Sequence, residues 1–136
     1  MSFLLDTNVV SEIRKARPHA GVAAWYETVE GLDLYLSVLV LGEIQQGITR
    51  LRRRDRRQAA TYETWLERLQ AGFADRILPV TREVALEWGR LSAVDPPPVV
   101  DGLMAATARV HGLTFVTRNV ADVARTGAAL LNPFDD

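Results

Sequence analysis

The chain has 136 residues, 48% hydrophobic and 24% charged, with seventeen acids against sixteen bases for a formal net charge of −1. Such values fit one globular domain able to bury a core, and they exclude a disordered or fibrous chain and any global attraction to nucleic acid or anionic membrane. The absence of cysteine excludes disulfides, thiolate chemistry and zinc sites of the Cys/His type. No signal peptide or transmembrane-length run is visible, so the expectation is a single domain over 1–136 in the cytoplasm.

Phe3-Leu4-Leu5 reads as a short strand ending at Asp6-Thr7-Asn8, a polar trio suited to starting a helix. From Pro18, Val22, Trp25, Tyr26 and Val29 recur at helical spacing until Gly31, and Leu34-Tyr35-Leu36 gives a second strand. Ser37 then caps a helix whose apolar stripe is Val40, Ile44, Ile48 and Leu51, with Glu43 beside that stripe rather than opposite it. Six arginines between Arg50 and Arg57 surround Asp55, which with Gln58 resembles a capping box, so the run bridges two helices. A charge run of this kind is solvated in most proteins, with contacts to RNA or to an acidic partner as the functional alternative.

The next helix carries the clearest amphipathic pattern in the chain: Tyr62, Trp65, Leu66, Leu69 and Phe73. Ile77-Leu78-Pro79-Val80 predicts an edge strand, because proline removes a ladder donor, and Thr81 caps a helix with Val84, Trp88 and Leu91 inward. After Pro96-Pro97-Pro98, Val100-Asp101 opens a helix that ends at His111 with Gly112 in the C′ position. Thr114 to Thr117 is a strand, Asp122 lies in a short helical turn, and Ala129 to Leu131 is the last strand. Alternating strands and helices imply an α/β class with a parallel sheet. The three tryptophans fall on apolar stripes and belong to the core or a dimer contact, and His19 and His111 read as structural.

In open α/β sheets, ligands bind in the crevice outside the carboxyl ends of the strands. Asp6 follows the first strand, Glu43 lies in the helix after the second, Asp101 sits at a helix start, and Asp122 follows the strand that ends at Thr117. Singly, each has a structural explanation as a cap, an ion-pair member, a charge at a helix N-terminus or a turn residue. Gathered in one crevice they would repel one another unless a cation compensates them, and oxygen-only donors suit magnesium or manganese. Spacing alone does not gather them.

The residue pattern carries a further signal. Leu4-Leu5-Asp6-Thr7-Asn8-Val9-Val10-Ser11-Glu12, Ser37 through Glu43 to Gly47, Val100-Asp101 through Ala105-Ala106-Thr107-Ala108, Thr117-Arg118-Asn119-Val120-Ala121-Asp122 and Asn132-Pro133-Phe134 together span the chain. As a set they resemble the PIN-domain ribonucleases, and among them the VapC-like toxins of type II toxin–antitoxin pairs. The resemblance implies a three-layer α/β/α fold with a central parallel sheet, a homodimer, and Mg²⁺ or Mn²⁺ held by Asp6, Glu43, Asp101 and Asp122. It also implies Thr7, Thr117 and Asn119 as supporting polar groups, RNA as the substrate, and a VapB-like antitoxin as the partner. The activity implied is endonucleolytic hydrolysis of RNA phosphodiester bonds by a metal-activated water, with Glu43 orienting or deprotonating that water. Gly102 and Val123 depart from the pattern, where alanine and an aromatic residue are more usual.

Three other readings stay open on sequence grounds. A phosphotransferase could use Asp6 as nucleophile, although Asn8 stands where such chemistry wants a second acid and Lys15 is the only lysine. The same acids could serve a non-catalytic metal- and partner-binding regulatory module, or a housekeeping RNA-processing nuclease without a toxin role.

Overall fold

A computed structural model describes residues 1–135. Its centre is a five-stranded sheet in the order β3-β2-β1-β4-β5, with every neighbouring pair parallel. The strands are β1 (Phe3–Leu5), β2 (Leu34–Ser37), β3 (Ile77–Leu78), β4 (Thr114–Val116) and β5 (Leu130–Leu131). Between them run α1 (Thr7–Ile13), α2 (Ala20–Glu27), α3 (Val38–Arg52), α4 (Arg56–Phe73), α5 (Arg82–Leu91), α6 (Val99–His111) and α7 (Val120–Val123).

The connections fix the layers. From β1 the chain steps outward to β2 and β3 through α1–α4, then returns across the sheet to β4 and β5 through α5–α7. With right-handed crossovers, the two directions of travel place the two helix groups on opposite faces. Packing agrees: α1 meets α2 and α3, and α3 meets α4, whereas α5 packs on α6 and α6 on α7. The result is a three-layer α/β/α fold. β1 lies between β2 and β4, covered on both faces, which is why Phe3, Leu4 and Leu5 are all buried. Phe115, Leu36, Val9, Val40 and Met104 complete the centre of the core.

Local chemistry places the helix ends. Ser37 Oγ accepts from Leu39 N at 3.0 Å, Asp55 Oδ1 from Gln58 N at 3.0 Å, and Thr81 Oγ1 from Val84 N at 3.2 Å. Gly112 ends α6 in the left-handed region at φ 66°, where a side chain would be strained. The arginine run straddles the α3–α4 turn, and Arg52 pairs with Glu63 across it.

Several boundaries are tighter than the sequence suggests. β3 stops at Leu78, since Pro79 has no N–H to extend the ladder, and it does form a sheet edge. β5 begins at Leu130, one residue late, although Ala129 still accepts from Phe115 N at 2.8 Å. α2 starts at Ala20 because the His19 ring caps it, with Nδ1 accepting from Gly21 N at 3.0 Å, and it ends at Glu27 ahead of a 3₁₀ turn over Gly31–Asp33.

Gly102 has a packing reason for lacking a side chain. A Cβ there would stand 3.0 Å from Pro97 Cγ and 3.2 Å from Trp88 Cδ1, both in rigid rings. Gly102→Ala is therefore expected to lower stability by about 1 kcal/mol, overpacking of the α5–α6 contact outweighing the better helix propensity of alanine. Denaturant titration measures it, and an equal or higher midpoint would contradict the packing argument.

Candidate active site

The crevice lies where the connections diverge, between the carboxyl ends of β1 and β4. Register assembles its centre: Leu5 pairs with Val116, Asp6 N donates to Val116 O at 2.9 Å, and one step further Asp6 meets Thr117. The Thr117 hydroxyl donates to Asp6 Oδ2 at 2.7 Å and accepts from Asn119 N at 3.0 Å. Both side chains are buried, Asp6 at 3% exposure and Thr117 at 0%.

Asp6 stands at the N-cap of α1 without behaving as an ordinary cap. A capping oxygen normally accepts from the second or third helical N–H. Here Oδ1 accepts from the adjacent Thr7 N at 2.7 Å, while Oδ2 faces Thr117 and, at 3.4 Å, the Asn8 amide. The carboxylate is thereby turned into the crevice. Burial raises the Asp6 pKa, and the bonds from Thr117, Thr7 and Asn8 only partly oppose that shift.

Glu43 comes from the second turn of α3 and accepts from the Thr7 hydroxyl at 2.5 Å through Oε1. Thr7 thus joins two acids, one through its backbone and one through its side chain. Asp101 lies in the first turn of α6, and Asp122 is exposed in the first turn of α7. A helix N-terminus favours a carboxylate and would lower the Asp101 pKa. Instead it is pushed up to about 6, first by desolvation and then by the charges of Asp6, Glu43 and Asp122. The four acids therefore share one electrostatic field, and Asp101 registers all three others. No cation among the described residues pairs with any of them.

The donor chemistry fits a hard divalent cation: oxygen donors only, excess negative charge, and a polar crevice at the sheet edge. Among the described residues no three acids are drawn in tightly enough to grip an ion as they stand.

These shifts predict a pH effect on the chelator-treated protein. Asp101 has a folded pKa above the ordinary aspartate value of 3.8, so its contribution is full below that value and is lost as pH rises through about 6. Asp6 shifts in the same direction. Melting temperature is expected to fall by a few degrees between pH 5 and pH 7.5, about 1 kcal/mol once solvent screening of half-exposed Asp101 is allowed for. A flat profile over that window would mean that the acids do not interact.

Of the sequence candidates, Asp6, Glu43, Asp101 and Asp122 share the field, and Thr7 and Thr117 bond directly to acids. Asn119 contributes its backbone N–H to Thr117, while its exposed side chain makes no cap bond. Asn8 is the participant that sequence reasoning passed over: its amide reaches Asp6, and its Oδ1 accepts from Arg118 N at 3.3 Å. Its position in the Asp6-Thr7-Asn8 trio was the available signal. A groove of about 360 Å³ opens beside Glu43 and Thr7, walled by Ser11, Ile48, Arg54, Tyr62 and Trp65. Tyr62 and Trp65 therefore line a surface groove instead of filling the centre of the core, and the Arg14 guanidinium lies over both rings at 4.4 and 4.9 Å.

The PIN-domain family model matches residues 3–127, nearly the whole of this parallel α/β/α sandwich. The chain belongs to that family. It is 31% identical to "Toxin FitB" of Neisseria gonorrhoeae over 98% of this chain and 99% of that one. To "VapC ribonuclease Y4jK" of Sinorhizobium fredii it is 30% identical over 97% of each. The crystal structure of FitAcB from Neisseria gonorrhoeae superposes with a TM-score of 0.89 at 31% identity, covering 98% of this chain and 99% of that one.

Proposed function

We propose that this chain is the toxin of a toxin–antitoxin pair and acts as a divalent-metal-dependent endoribonuclease. The observation that carries the chemistry is the shared field of Asp6, Glu43, Asp101 and Asp122 at the sheet edge, uncompensated by any cation among the described residues. The biological role draws on relatives: one is named a VapC ribonuclease, another a toxin, and solved neighbours include toxin–antitoxin complexes.

In this reading Asp6, Asp101, Asp122 and Glu43 hold Mg²⁺ or Mn²⁺. Bound there, the cation supplies a Lewis acid for charge on the scissile phosphate and acidifies the attacking water. Thr117 and Thr7 fix the Asp6 carboxylate, so a central ligand is oriented before substrate arrives. Glu43, steadied by the Thr7 hydroxyl, orients the water and receives its proton. The groove beside Glu43 gives a strand room to approach the acids. Water attacks phosphorus, the bond to the leaving oxygen breaks, and that oxygen takes up a proton. The partner is a VapB-like antitoxin that covers the acidic crevice, the active unit is a homodimer, and the complex works in the cytoplasm. Among the described residues no helix is long and apolar enough to cross a membrane.

The decisive assay incubates the purified, partner-free chain with total RNA and maps the new ends. Discrete internal cuts should appear with Mg²⁺ or Mn²⁺ and vanish with EDTA. Cleavage that persists under chelation would overturn the metal assignment, and RNA left intact with either ion would overturn the nuclease assignment.

A further inference from the structure

We propose that Arg118 grips the phosphodiester backbone of the substrate strand at the rim of the acidic crevice, held in place by stacking on Phe134; this rests on the ribonuclease reading above. Four carboxylates repel a polyanion, and a chain of net charge −1 offers no overall attraction to offset that. A cation fixed beside the acids, and not spent on them, is what the substrate requires.

Arg118 meets that description. It directly follows Thr117, whose hydroxyl bonds Asp6, and its backbone N–H is anchored on Asn8, whose amide faces the same carboxylate. Its side chain is exposed. Arg52, Arg90, Arg109 and Arg125 are each paired with an acid, but no carboxylate among the described residues pairs with Arg118.

A long, mobile guanidinium beside an acidic cluster would ordinarily fold onto it and neutralise it. Here the guanidinium packs on a ring instead: its carbon lies 4.5 Å from the centroid of Phe134. Phe134 is itself fixed, buried at 9% exposure with the His19 ring 5.4 Å away on a tilt of 55°. Stacking engages a face of the guanidinium and consumes none of its N–H donors, which then suit bidentate phosphate recognition. The segment after β5 thereby sets the position of a side chain on the loop after β4 and leaves its charge without a carboxylate partner among the described residues.

The test is steady-state cleavage of a short single-stranded RNA that the unmodified chain cuts, over a range of salt concentrations. Arg118→Gln should raise KM about tenfold with kcat within about twofold, and flatten log KM against log salt by about 0.7, the loss of one phosphate contact on a single strand. Melting temperature should stay within about 2 °C, because the side chain is exposed. Arg118→Lys, which keeps the charge without the fork, should restore the salt slope and only part of KM. Phe134→Leu should raise KM with Arg118 still present, and the double variant should be no worse than Arg118→Gln. An unchanged slope in Arg118→Gln overturns the proposal, and a fall in melting temperature with that slope unchanged reassigns the stack to structure alone. If the unmodified chain fails to cut RNA, the ribonuclease reading falls and the proposal with it, an outcome distinct from cutting with an unmoved slope.

Discussion

Asp101→Asn is expected to reduce RNA cleavage by about a thousandfold, the several kcal/mol of transition-state stabilisation that a correctly held cation contributes. The same change should not weaken the fold. Asp101 is half-buried, carries a pKa raised to about 6 by desolvation and by Asp6, Glu43 and Asp122, and forms no ion pair among the described residues. Removing its charge relieves repulsion, so the chelator-treated variant should melt at or above the unmodified protein at pH 7.5 and lose most of the pH dependence predicted above. The pairing of lost activity with retained stability separates a ligand cluster from a structural salt-bridge network, in which removing one partner destabilises. An Asp101→Asn protein that cleaves normally, or one that melts well below the parent at pH 7.5, would contradict the assignment.

Thr117→Val should lower kcat by between about tenfold and a hundredfold, the usual range when a partner that orients a metal ligand is removed. Valine preserves the shape of this fully buried site but deletes the hydroxyl that donates to Asp6 Oδ2. Among the described residues that leaves Oδ2 with only the 3.4 Å approach of Asn8, and it deprives Asn119 N of its acceptor. Because the lost bond is to a carboxylate, stability at neutral pH should fall by about 2 kcal/mol. The Asp6 pKa should rise further, so the acidic limb of the rate profile should move to higher pH. Thr117→Ser, which restores the hydroxyl, should recover most of the rate. Equal activity in the valine and serine variants would show that the hydroxyl does not position Asp6.

Much of the fold was legible because its signals are local. The apolar run at Phe3–Leu5, the amphipathic stripe of α4, the caps at Ser37, Asp55 and Thr81, and Gly112 after α6 each act within a few residues. Strand ends were less legible, because a ladder ends where a neighbour ends: β5 begins at Leu130 through its pairing with β4. The direction of each acid could not be read from spacing. Asp6 and Thr117 are brought together by parallel register across more than a hundred residues, and Glu43 is tied to Thr7 by a hydroxyl rather than by helix periodicity. Family resemblance carried that step. The Gly102 departure becomes intelligible only in three dimensions, where Trp88 and Pro97 occupy the space of a methyl group. Tyr62 and Trp65 were placed on the correct face of α4, but sequence could not show that this face opens into a groove before it reaches the core.

The order in which the strands sit has a consequence for the life of the chain. β1, supplying Asp6 near the start, takes β4 as its neighbour, which is made near the end, and α6 and α7 add Asp101 and Asp122 late as well. A growing polypeptide that has reached only α5 possesses Asp6 and Glu43 but no Thr117, Asp101 or Asp122, and so has no complete crevice. Asp6 therefore stays without its Thr117 hydroxyl donor until the last fifth of the chain has been made, and β1 stays without its β4 neighbour.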